Sequence, residues 1–305
     1  MTPGHAGVVG HPIDHSLSPV LHAAAYAVLG EDLDYGARDL DEGELRPAVA
    51  ELRGDGAWRG LSVTMPLKTE AAELADELTQ LARTVGTVNT LVHRPDGTVL
   101  GHNTDVAGIR DALRSAGPLP RAPRAAVVGG GGTATAAVAA LHELGAPSAE
   151  LWVRSSARAR RAVDAARRAG LPLRVRPLEE APEHLAGCDV VVSTLPPHGA
   201  DELAAGLASV RGRRTSGVLL DAAYDPWPSA LARAWTRAGG AVVPGVDMLV
   251  LQALDQIRLF TGRDPGEALP RQEAVLEAMC RAVGRSELAR ALAATRAAGP
   301  AVGPA

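Results

Sequence analysis

Apolar positions along this chain gather into short runs separated by amphipathic stretches, the alternation expected of strands and helices packed in layers. In the N-terminal part, 6–10, 33–38 and 60–64 read as strands, and 17–29 and 41–53 as helices. Ser16 or Ser18 stands where a cap would open the first helix. Pro66 suits a first helical turn, and the pattern predicts a helix from there to about Leu78. Residues 88–93 and 98–102 flank the turn signal Pro95-Asp96-Gly97 and read as a hairpin. A helix over 106–116 follows, with Asp105 placed to cap it.

The Gly/Pro-rich stretch 117–123 interrupts every periodicity, as a linker does. Beyond it, continuous apolar runs at 124–128, 150–153, 173–175, 189–193, 218–221 and 241–243 alternate with helical patterns. Runs that are apolar throughout predict strands buried on both faces, hence a parallel sheet. From Gly245 the chain reads as helical, over 248–260, 270–283 and 286–298, and the Ala/Gly/Pro-rich tail 297–305 as disordered.

Composition narrows the function classes. A length of 305 residues suits two domains and leaves no spare one for a second activity. A net charge of −4 argues against a nucleic-acid binder. Cys188 and Cys280 are far apart with no CxxC spacing, which excludes a disulfide framework or a cysteine-rich zinc site. His11 and His15 have i, i+4 spacing, but Pro12 between them denies a helix, and no metal is expected. The N-terminus lacks a basic region followed by an apolar one, and no apolar run is long enough to span a bilayer. A cytoplasmic protein without membrane attachment is therefore expected. Of 31 basic residues only Lys68 is a lysine, and Asn89 and Asn103 are the only asparagines. Arginine replaces lysine wherever a solvated charge suffices, but not where an amine must exchange a proton. Lys68 is thus either a leftover on a solvated helix face or a group that does chemistry.

Val127-Val128 ends one predicted strand, and Gly129-Gly130-Gly131-Gly132-Thr133 opens the next helix. A bare turn of this kind lets backbone N–H groups and the helix dipole meet a pyrophosphate, although the strict GxGxxG spacing is not met. The following strand ends in Arg154-Ser155, with no carboxylate to hold a ribose diol. The guanidinium fork suits a 2′-phosphate, so NADP(H) is expected over NAD.

Four polar segments complete the picture: 11–19, 62–68, 86–90 and 101–105. Their hydroxyls, amides, single amine and Asp105 form an inventory suited to a small polyhydroxylated acid. Together with the glycine turn and two later motifs, these segments resemble the shikimate dehydrogenase family. The matching runs are PIDHSLSP (12–19), SVTMPLK (62–68), VGTVNT (85–90), NTD (103–105), GGGGTA (129–134), DAAYDPWPS (221–229) and GVDMLVLQA (245–253). They occur in family order, and the YDPWP run is of the kind typical of actinobacterial members.

The resemblance implies an α/β, two-domain fold. Residues 1–105 would form an α/β substrate domain, to which helices of 247–290 return, and 106–246 a Rossmann-type NADP-binding domain. It implies NADPH-dependent, reversible reduction of 3-dehydroshikimate to shikimate. Lys68 and Asp105 would be the catalytic pair. Ser16 and Ser18 would bind the substrate carboxylate, Thr64, Asn89 and Gln252 would contact the ring hydroxyls or carboxylate, and Tyr224 would line the site. Gly129, Gly130, Gly131, Gly132, Thr133, Arg154, Ser155, Thr194, Gly245 and Met248 would hold the cofactor. The chain departs from common family residues at Ser62 and Ala23, in the turn Val153-Arg154-Ser155 where Asn-Arg-Thr is common, and in Val192-Ser193-Thr194 where Asn-Ala-Thr is usual. Quinate/shikimate or aminoshikimate oxidation on the same fold, and a non-catalytic NADP-binding regulatory module, are the rival readings. The last would be expected to lack Lys68 or Asp105. A homodimer is compatible with the sequence.

Overall fold

Two six-stranded sheets organise the computed structural model, which describes residues 4–209 and 214–297, without the side chains of 295–297. The first part of the chain runs β1 (Gly4–Gly10), α1 (Ser18–Leu29), β2 (Leu33–Asp39), α2 (Leu45–Gly54), β3 (Trp58–Val63) and α3 (Lys68–Leu74). It continues through β4 (Glu77–Leu78), α4 (Gln80–Val85), β5 (Thr90–His93), β6 (Val99–His102) and α5 (Asp105–Ser115). These strands form a mixed sheet in the order β2-β1-β3-β5-β6-β4. Val9, Leu61 and Val63 pack against Leu45, Val49 and Leu52 of α2 on one face.

The second part runs β7 (Ala125–Val128), α6 (Gly132–Glu143), β8 (Ala149–Val153), α7 (Ser156–Ala169), β9 (Leu173–Pro177) and α8 (Ala181–His184). Then come β10 (Val190–Ser193), α9 (Asp201–Ser209), β11 (Val218–Asp221), α10 (Ala230–Arg237) and β12 (Ala241–Pro244). All pairings in this sheet are parallel. Its order, β12-β11-β10-β7-β8-β9, reverses direction between β7 and β10. Ligand crevices in open α/β sheets lie at the carboxyl ends of strands at such a switch point. Both faces are covered, as the apolar runs require: Ala125 and Val127 join the core beneath α6, and Ala126 and Val128 join Leu203, Leu231 and Trp235 opposite.

The chain closes with α11 (Gly245–Phe260), α12 (Gln272–Ala282) and α13 (Ser286–Ala297). Helix α11 lies on α5 and beside β3 and β5, and α12 lies on α1, so the C-terminal helices do pack back on the first part of the chain. Among the described residues no helix is long and apolar enough to cross a membrane.

Three expectations require correction. Pro66 does not open a helix: the Met65–Pro66 peptide is cis, and α3 begins at Lys68. Nor does that helix reach Leu78. It ends at extended Ala75, because Asp76 and Thr79 donate backbone hydrogen bonds to Val99 and Gly101 and draw 77–78 into the sheet. Thr79 then caps α4, which the hydrophobic pattern does not disclose. Helix α2 starts at Leu45 rather than Asp41, since Asp41–Glu44 is occupied by a turn in which Glu44 bonds back to Asp41. Of the tail expected to be disordered, 298–305 lies outside the described residues.

Candidate active site

The ends of β3 and β6 bring the lysine and its carboxylate partner together. Thr64 N–H donates to Val9 and Val88 N–H donates to the Lys68 carbonyl, which fixes the start of α3 beside the 86–90 loop. Asp105 is the first residue of α5 but does not cap it, and its own N–H donates to Asn103 Oδ1. The carboxylate is thereby free to turn inward. Lys68 Nζ donates to Asp105 Oδ2 at 2.5 Å, with the side chains 13% and 5% exposed. Asn89 Nδ2 donates to the other oxygen, Asp105 Oδ1, at 2.8 Å.

Around this pair the polar groups interlock. Asn89 Oδ1 accepts from the backbone N–H of Thr104 and from the Thr90 hydroxyl. Gln252 Oε1, arriving from α11, accepts from the Thr104 hydroxyl at 3.0 Å and from Asn89 Nδ2 at 3.2 Å. Its approach depends on Gly108 of α5, where any Cβ would lie 2.7 Å from Gln252 Cβ. A cavity of about 210 Å3 opens over these groups. Its walls hold Ser16, Ser18, Thr64, Lys68, Asn89, Asp105, Thr133, Tyr224, Gly245, Met248 and Gln252. The expected side-chain cap of α1 is not made, although Ser16 Oγ accepts from the Ser18 N–H at 3.3 Å, and both serines line the cavity. Tyr224 comes from the loop after β11. That loop is clamped where Ser229 Oγ donates to the buried Asp221 at 2.6 Å and accepts from Ala232 N–H. Burial raises both the Asp221 and Tyr224 pKa values above the ordinary ones.

The glycine turn adjoins this cavity. Gly132 lies against the Lys68 stem, with a Cβ there 3.5 Å from Lys68 Cδ. Thr87 Oγ1 of the first part and Thr135 Oγ1 of α6 are 3.0 Å apart, a direct polar contact across the cleft. Gly129 has φ +103°, open to glycine and strained for other residues, and a Cβ there would strike Thr194 Oγ1 at 2.6 Å. Thr194 donates through that hydroxyl to Val128 O, so the ends of β7 and β10 are tied together at the switch point. Around Gly131 there is open space. Arg154 and Ser155, at the end of β8, are exposed, and Arg154 has no hydrogen bond or ion pair among the described residues. A bare turn at a helix N-terminus, open space above it and an unpaired guanidinium one strand away fit a phosphorylated dinucleotide.

The structure therefore brings the expected catalytic and substrate residues to one cavity, with Thr133, Gly245 and Met248. Gly129 to Gly132 and Thr194 lie at the adjoining turn, and Arg154 and Ser155 stand outside the cavity. Sequence reasoning missed Gln256, Ile13, His15 and Leu249, which also line the cavity. Gln256 follows Gln252 by one helical turn on α11, and that i, i+4 spacing was the available signal.

A switch-point crevice with a glycine turn, facing a buried lysine–carboxylate pair across a cleft, defines a two-domain nicotinamide-dependent dehydrogenase. The pattern of the shikimate dehydrogenase substrate binding domain matches residues 8–91. The shikimate dehydrogenase (NADP(+)) of Rubrobacter xylanophilus is 38% identical over 263 residues, covering 85% of this chain and 91% of its own. The crystal structure of Mycobacterium tuberculosis shikimate dehydrogenase superposes with a TM-score of 0.79 at 40% identity, covering 92% of this chain and 100% of that one. The Thermus thermophilus enzyme in complex with NADP(H) and shikimate gives 0.72 at 33% identity, covering 92% and 99%. The chain belongs to the shikimate dehydrogenase family.

Proposed function

We propose that this protein catalyses the NADPH-dependent, reversible reduction of 3-dehydroshikimate to shikimate. The observation that carries the reading is the buried Lys68–Asp105 pair at 2.5 Å, inside a cavity that adjoins the glycine turn. Residues 1–105, with the returning helices of 247–290, serve as the substrate domain and 106–246 as the cofactor domain. The two cysteines are unpaired, which suits a reducing cytoplasm.

Gly129 to Thr133 and Thr194 would hold the pyrophosphate side of NADP(H), Arg154 and Ser155 the 2′-phosphate, and Gly245 and Met248 the nicotinamide end. When bound, the cofactor supplies or takes the hydride at the reacting carbon. Lys68 does the rest of the chemistry. In reduction the ketone oxygen gains negative charge, and the Lys68 ammonium stabilises it and delivers a proton. In oxidation the amine takes the proton from the hydroxyl. Such general acid–base help is typically worth about 10²–10⁴-fold. Asp105, fixed by Asn89, holds the lysine nitrogen in place. Ser16 and Ser18 bind the substrate carboxylate, and Thr64, Asn89, Gln252 and Tyr224 the remaining ring groups.

Steady-state oxidation of shikimate and of quinate, each with NADP+ and with NAD+, tests the assignment. Shikimate with NADP+ is expected to give the highest kcat/KM of the four. Preference for quinate, or no turnover with any pair, overturns it.

A further inference from the structure

A continuous chain of hydrogen bonds runs along the cavity wall from β2 to Asp105. Tyr35 OH donates to Ser62 Oγ at 2.6 Å, and Ser62 Oγ donates to Gln256 Oε1 at 2.9 Å. Gln256 Nε2 donates to Thr90 Oγ1 at 3.0 Å, and Thr90 Oγ1 donates to Asn89 Oδ1 at 2.9 Å. Asn89 Nδ2 then reaches Asp105.

Groups that can only donate or only accept fix the direction of every link. The backbone carbonyl of Asn89 can only accept, and Gln256 Nε2 lies 3.2 Å from it. The Gln256 nitrogen must therefore face β5, and its oxygen must face Ser62. Ser62 is forced to donate to that oxygen and to accept from Tyr35, whose phenol burial holds in the protonated form. Thr90 spends its oxygen as acceptor for Gln256, so its hydrogen goes to Asn89. The backbone N–H of Thr104 can only donate, and it too meets Asn89 Oδ1, at 2.8 Å. With its oxygen doubly engaged, Asn89 presents its nitrogen to the carboxylate. Gln256, Thr90 and Asn89 are all buried, so water does not substitute for a lost link. The polar atoms of Gln256 are occupied within this chain. Buried His22 lies beside Gln256, with its Nε2 unpartnered among the described residues.

We propose that Gln256 is a positioning residue for proton transfer, acting through Thr90 and Asn89 on Asp105. This rests on the reading of Lys68 and Asp105 as the proton-transfer pair. Gln256 touches neither lysine nor carboxylate. It commits the Thr90 hydroxyl to Asn89, and Asn89 in turn holds the carboxylate that holds Lys68. The link passes from α11, a C-terminal helix, into the loop of the substrate domain that carries Asn89.

The test is a set of kinetic cycles on shikimate oxidation with NADP+. Gln256→Leu is expected to lower kcat about tenfold, the rate equivalent of roughly one hydrogen bond, while both KM values stay within about twofold. Thr90→Val should give a similar loss, and Thr90→Ser, which keeps the hydroxyl, should restore most of it. In an Asp105→Asn background, Gln256→Leu should change kcat less than about twofold, because residues acting as one unit are not additive. If Gln256→Leu fails to fold, Ser62→Ala, which cuts the same chain one link earlier, takes its place in the cycle with the same non-additivity expected. A raised KM for shikimate with unchanged kcat, or losses that multiply in the Asp105→Asn background, overturns the proposal. Full turnover in Asp105→Asn alone instead removes the reading of the catalytic pair on which it rests.

Discussion

Gly108 on α5 and Gln252 on α11 meet so closely that a methyl group at position 108 would lie 2.7 Å from Gln252 Cβ and 3.0 Å from the Met248 carbonyl. The same helix pair carries Asp105 at one end and Gln252 in the cavity wall. Gly108→Ala should therefore act on both packing and substrate binding. Overpacking a close helix contact costs about 1–3 kcal/mol. The expected outcome is a lowered Tm together with a raised KM for shikimate, since Gln252 moves away from Asn89 and Thr104. Unchanged Tm and KM would show that the helices part without disturbing the site.

Arg154 stands alone at the end of β8 with no partner among the described residues. A charge-assisted contact to a 2′-phosphate is worth about 1.5–3 kcal/mol. Arg154→Ala should raise KM for NADPH by about tenfold or more and leave KM for NADH nearly unchanged. Measuring kcat/KM with both cofactors checks this. An unaltered ratio means that another group reads the phosphate.

His22 is wholly buried and stacks on Tyr35 at a centroid separation of 3.8 Å, and burial lowers its pKa to about 3. In the unfolded chain a histidine titrates near 6.5. Below pH 6.5 the unfolded state takes up a proton here that the folded state refuses until about pH 3. The stability linked to neutral His22 is complete above pH 6.5 and falls as the pH drops through 6.5 toward 3. At pH 5 the loss is about 2 kcal/mol. Urea denaturation of the protein and of His22→Phe, which retains a ring against Tyr35, measures it. The variant should lose less stability between pH 7 and pH 5, whereas parallel losses would assign the effect to other groups.

Much of this architecture was legible in the chain, for reasons that particular residues make clear. The second sheet announces itself because its central strands are buried on both faces: Val127-Val128 and Val190-Val191-Val192 leave no polar position to blur the pattern. Lys68 was visible because it is the only lysine in the chain. What stayed hidden depends on partners remote in sequence. The end of α3 is set by Val99 and Gly101, which pull 76–79 into the sheet, and no local propensity foretells that. The cis peptide at Pro66 is equally silent in the sequence. Gln256 takes its place only through Ser62, Thr90 and the Asn89 carbonyl, which close around it in the fold.

If the Lys68 amine moves the proton, the variants Lys68→Ala and Lys68→Arg should both lose the reaction. The measurement is kcat for shikimate oxidation with NADP+, alongside KM for NADP+. Both variants should lose more than tenfold in kcat with little change in KM for NADP+, because alanine has no amine and arginine keeps its proton throughout. Near-normal turnover in either variant would show that another group moves the proton.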